Sequence, residues 1–119
     1  MESILILLGV LLLQSCFQMR TQDQETRIIF NKKNSDVNIK RYSLKSVDYP
    51  VRVVSGNYDV SKDVAIFFIH GAPGSSDNYY EYLQDSLLLE KANLYSIDRP
   101  GYGFSNFGKS ETSIKKNQK

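Results

Sequence analysis

The sequence predicts an α/β fold in which antiparallel edge strands lead into a βαβ unit. Val64-Ala65-Ile66-Phe67-Phe68-Ile69 is apolar without alternation, the pattern of a strand buried on both faces inside a helix-covered parallel sheet. After the break at His70-Gly71-Ala72-Pro73-Gly74, Tyr79, Leu83 and Leu87 recur every four residues and are joined by Tyr82. That spacing puts one apolar face on a helix. Asn93-Leu94-Tyr95-Ser96-Ile97 then supplies a second short strand. Strand, helix and strand with short connections make a βαβ unit.

Three segments ahead of this unit read as strands of the antiparallel edge. Arg27-Ile28-Ile29-Phe30 is short and rich in β-formers, and Val37–Tyr42 alternates. The turn-forming stretch Asn31–Asp36 lies between them, and Tyr49–Val54 ends at Ser55-Gly56-Asn57. Within the βαβ unit, Ser75 or Ser76 caps the helix, and Asp77 suits its positive first turn. After the second strand, Asp98-Arg99-Pro100-Gly101-Tyr102-Gly103 breaks the chain again. Pro100 fits the second position of a type II turn and Gly101 the third, where φ must be positive. Glu111–Lys116 resembles the start of a further helix.

With 119 residues, 41% hydrophobic and 24% charged, the chain has room for one small core. The net charge of +2, with bases scattered rather than striped, argues against nucleic acid as a partner. Lys109, Lys115, Lys116 and Lys119 belong to a solvated helix or tail. A single cysteine excludes an intrachain disulfide. No His, Cys and carboxylate cluster stands at ligand spacing, so neither a metal nor an organic cofactor is implied.

The first residues have a separate character. Ile4–Leu13 is a ten-residue apolar run interrupted by Gly9, too short to cross a bilayer but suited to the core of a signal peptide. It ends in Leu13-Gln14-Ser15-Cys16, which resembles the lipobox of bacterial lipoproteins. The resemblance implies cleavage before Cys16, lipid on its thiol, and a protein anchored to a membrane of the cell envelope. The alternatives are a cleaved signal peptide on a secreted or periplasmic protein, or an uncleaved anchor. The polar stretch Gln18–Glu25 reads as a tether. The expected organisation is therefore a signal peptide over 1–15, a tether over 16–25 and a folded part over 26–119.

The two strand ends carry the chemistry. Val64–Gly74 (V-A-I-F-F-I-H-G-A-P-G) resembles the strand and H-G-x-P-G turn of α/β-hydrolases. Ile97–Ser105 (I-D-R-P-G-Y-G-F-S) resembles the D-x-P-G-x-G-x-S that follows their next strand. Both occur in order and at the family's interval. The resemblance implies the first half of an α/β-hydrolase sheet, incomplete over these residues.

Acyl transfer develops negative charge on a carbonyl oxygen, which preorganised N–H groups stabilise. In this fold one donor comes from the loop after the first of these strands. By resemblance that loop is Gly71, Ala72, Pro73 and Gly74, and the donor is the N–H of Ala72. Gly71 and Gly74 let the backbone approach closely, and Pro73 stiffens the turn. His70, Asp98, Arg99, Pro100, Gly101 and Gly103 are implied to be structural at the site.

No G-x-S-x-G elbow occurs. Gly103-Phe104-Ser105-Asn106-Phe107 comes nearest, but Phe107 stands where the last glycine belongs, so Ser105 reads as part of a turn. A nucleophile, a catalytic acid and a catalytic base are all missing. The chain is thus expected to be inactive by itself and, when completed, to hydrolyse an ester, amide or related bond of a small substrate. The alternatives are a non-catalytic binding lipoprotein or the remnant of a broken reading frame.

Overall fold

The structure is a computed structural model and describes residues 1–7, 9 and 20–109. Leu13–Cys16 and Glu111–Lys116 lie outside the described residues. Residues 2–7 are helical. Helix α1 spans Asp23–Asn31, strand β1 Asn38–Ser43, β2 Pro50–Ser55 and β3 Ala65–Ile69. A 3-10 turn over Ser76–Tyr79 leads into α2, Tyr80–Leu83, and then come α3, Ser86–Lys91, and β4, Asn93–Ile97. The sheet order is β1-β2-β4-β3. The β1/β2 and β2/β4 pairs are antiparallel and β3/β4 is parallel, so the antiparallel edge and the βαβ unit both form.

One face of the sheet carries the core. Val54, Leu94 and Ala92 are buried there with Phe30 of α1 and with Tyr80 and Leu83 of α2. Phe30 meets Tyr80 edge-on, centroids 5.4 Å apart. The other face is open: Tyr42, Val53 and Tyr95 line a hollow of about 300 Å³ there, with Tyr58 at its margin.

Three local expectations are corrected. Arg27–Phe30 is helical. Asp23 and Glu25 occupy the positive first turn, and the Glu25 carboxylate accepts from the N–H of Gln22, 3.1 Å. Thr26 and Phe30, four apart, are the two buried residues. The period of the buried positions, rather than the β-propensity of Ile28 and Ile29, decides the conformation. This helix also takes up part of the stretch read as a tether.

The second correction concerns the helix after Gly74. Asp85 accepts from the N–H groups of Leu87 and Leu88, at 2.9 and 3.0 Å, and starts a new helix. That resets the phase. Leu87 is 69% exposed, while Leu88 and Leu89 pack against the core.

Third, β3 is not buried on both faces. Among the described residues it forms the sheet edge, so Ile66 and Phe68 face the helices while Ala65, Phe67 and Ile69 are exposed. Phe68 stacks on Tyr79 and Tyr82, and Phe67 stacks on Tyr95 across the open face.

Candidate active-site loops

Parallel pairing of β3 and β4 sets Ile69 beside Ile97. The two strands therefore end at one level, and His70 and Asp98 open two neighbouring loops. The buried His70 joins them. Its Nε2 accepts from the N–H of Arg99 at 3.1 Å, and its Nδ1 lies 2.7 Å from the Gly71 carbonyl. With Nε2 accepting, we assign the ring proton to Nδ1, which donates to that carbonyl. Tyr102 packs edge-on against the ring at 5.4 Å.

In the first loop Gly71, Ala72 and Pro73 are exposed and Gly74 is buried. The N–H of Ala72 meets no acceptor among the described residues. A Cβ at Gly74 would lie 3.1 Å from both the Gly71 carbonyl oxygen and His70 Nδ1, so the close approach expected there exists. At Gly71 it does not: a Cβ there would meet nothing within 4 Å, because this residue projects into the open. Ser75 then starts the 3-10 turn, its N–H donating to Asn78 Oδ1 and its hydroxyl to the Asp77 carboxylate.

The second loop is packed. The N–H of Tyr102 donates to the Arg99 carbonyl at 2.8 Å, and Gly101 has φ 84°, as a type II turn requires. Gly103 has φ 51°, and a Cβ added there would fall 2.4 Å from the Asp98 carboxyl carbon. Ser105 is fully buried. Its carbonyl accepts from Gly101 and its hydroxyl from the N–H of Arg52 at 2.8 Å. The guanidinium of Arg99 lies over the Tyr102 ring, 4.5 Å from its centre.

Asp98 ties this loop to the start of the helical segment. Its Oδ1 accepts from the N–H of Ser76 at 2.6 Å and its Oδ2 from the N–H of Phe104 at 2.9 Å. Ser96 reinforces the link by donating to the Ser76 carbonyl at 2.8 Å. The same carboxylate pairs with Arg52 Nη1 at 3.3 Å, and neither side chain reaches solvent.

Arg52 is the residue that sequence reasoning missed. It donates to Asp23 Oδ1 at 2.8 Å, to Ser76 Oγ at 3.0 Å and to Thr26 Oγ1 at 3.2 Å. Burial opposes its charge, but the Tyr80 oxygen and the Asp98 and Asp23 carboxylates outweigh that and raise its pKa. Asp23 moves the other way: partial burial works against its charge, yet the Arg41 hydrogen bond and the Arg52 charge hold its carboxyl below the usual range. The signal was available, since Arg52 sits two residues from Val54 and so shares its inward face.

A groove of about 440 Å³ runs beside the first loop, lined by Thr21, Ile29, Gly74, Asp77, Asn78 and Tyr80. Among the described residues no three His, Cys, Asp or Glu side chains gather where a metal could sit. Residues 64–116, which include both loops, match the family model described as the alpha/beta hydrolase fold. No curated protein and no solved structure matches the chain.

Proposed function

We propose, from the match of residues 64–116 to the alpha/beta hydrolase fold, that the chain contributes the oxyanion side of a hydrolase acting on an ester, amide or related bond of a small substrate. The observation that carries this is the Ala72 N–H, exposed at the ends of two parallel strands and without an acceptor among the described residues. A donor in that condition costs no reorganisation when a carbonyl oxygen beside it gains charge. His70 and Asp98 hold their loops and take no part in proton transfer. Both ring nitrogens of His70 are engaged, and the Asp98 carboxylate is committed to Ser76, Phe104 and Arg52.

Nucleophilic catalysis needs an activated nucleophile, a base within about 3 Å and a group orienting that base. Among the described residues Ser105, nearest to an elbow in sequence, does not meet this requirement, because it is buried in its turn. In this reading the nucleophile, acid and base lie outside the described residues. The Leu13–Cys16 sequence supports a lipid anchor on Cys16, which would place the protein on a membrane of the cell envelope.

A fluorophosphonate probe, which tags activated serines, tests the hydrolase reading. The 119-residue chain should remain untagged and fail to turn over short-chain nitrophenyl esters. An antibody to the folded part should recover a larger, tagged polypeptide from the producing cells. Stoichiometric tagging of the 119-residue chain at one serine would overturn the assignment, as would the absence of any tagged polypeptide bearing these residues.

A further inference from the structure

The chain enters the folded part at the end of the sheet that carries the two loops. Arg20 donates from Nη1 to the Gly103 carbonyl at 2.9 Å, and its guanidinium lies 4.6 Å from the Phe104 ring centre and 5.2 Å from that of Phe107. The next residue, Thr21, donates to Asp77 Oδ2 at 2.8 Å, and its carbonyl accepts from Arg52. Consecutive residues thus fasten the incoming chain to the second loop and to the 3-10 turn that follows the first, and Asp23 continues the attachment through Arg52.

We propose that this loop-bearing end of the sheet rests on the surface of a lipid bilayer. The proposal depends on the Cys16 anchor. Four residues lead from Cys16 to Arg20, and fully extended they reach at most about 14 Å. The headgroup layer of one leaflet is itself roughly 5–7 Å deep. Lipid on Cys16 therefore keeps Arg20, and with it Gly103–Phe107, within about 14 Å of the anchored residue.

The surface presented there suits that position. Phe107 is 55% exposed, and Ile29, 36% exposed, lines the groove with Thr21 and Gly74. Aromatic and aliphatic side chains gain from the boundary between headgroups and acyl chains. Lys109, held at the same end by the Tyr49 hydroxyl on its carbonyl, adds a positive charge that anionic lipid favours. The opposite end of the sheet offers a control. Val60 is 83% exposed there, beside Asp59, whose N–H is bonded to Asn93 at the start of β4.

The test uses the full chain, processed in cells and reconstituted into phosphatidylethanolamine and phosphatidylglycerol vesicles containing brominated lipid. Phe107→Cys, Ile29→Cys and Val60→Cys each receive an environment-sensitive fluorophore. Lipid on Cys16 leaves the introduced thiol as the free one. Quenching should be several-fold stronger at positions 107 and 29 than at 60. Equal quenching at all three, or stronger quenching at 60, overturns the proposal. Because Ile29 and Val60 are both exposed, their comparison stands even if the change at Phe107 perturbs its loop. A fatty-acid analogue supplied during growth separates the two readings. Tagged protein without the expected pattern refutes the docking surface and leaves the anchor standing, whereas untagged protein that stays untagged on repetition beside Cys16→Ser refutes both.

Discussion

The loop after β4 is buried and bonded through most of its length, whereas the loop after β3 is exposed from Gly71 to Pro73. Both leave neighbouring strand ends, and both are short and rich in glycine and proline. They differ in what holds them. Asp98 sits inside the second loop and accepts from Phe104, and Ser105 closes the turn against Arg52. The first loop is gripped at its base alone, by the bond from His70 to Gly71 and by the close passage of Gly74 over the imidazole. Between those points its backbone is free to bind something else. The second loop is scaffold, and the first is the part it presents.

That contrast can be broken by mutation. The largest effect should follow Asp98→Ala, which removes the acceptor for two backbone N–H groups and one partner of the buried Arg52. Breaking a buried pair from one side costs about 3–5 kcal/mol, a large part of the stability of a domain this small. Urea denaturation measures it, and a loss below about 1 kcal/mol would mean that the carboxylate does not organise the second loop.

A paired glycine replacement sharpens the comparison. Gly103→Ala combines positive φ with a Cβ driven into the Asp98 carboxyl and should cost on the order of 2 kcal/mol. Gly71→Ala places its methyl in open space and should stay within about 0.5 kcal/mol of wild type. Equal costs in the same denaturation experiment would erase the distinction between the two loops.

The sequence made the second loop legible in detail. Pro100 and Gly101 fixed the turn type, and Gly101 has the positive φ that this type demands. The pairing of β3 with β4 was also legible, because two short apolar strands bracket one helical segment. The bracketing segment was read less well. Tyr79, Leu83 and Leu87 keep the spacing of one helix, but Asp85 caps a second one, and capping by a single side chain leaves no mark on hydrophobic periodicity. In α1 the error ran the other way: Ile28 and Ile29 suggested a strand, while the capping contact of Gln22 with Glu25 and the burial of Thr26 and Phe30 made a helix. Alternation with Val54 puts Arg52 on the inward face, but nothing local in the sequence supplies partners for its charge. Its partners, Asp23, Ser76 and Asp98, are distant in sequence, and only the fold brings them together.

The role of the presented loop has a direct test. In a larger, probe-tagged polypeptide carrying these residues, as the proposed function expects, Ala72→Pro removes one N–H from a loop already exposed and should leave the fold intact. Losing one oxyanion donor should lower ester turnover by about 10²–10³-fold, with KM little changed. Turnover equal to wild type in a folded variant would contradict the assignment of the Ala72 N–H to the oxyanion site.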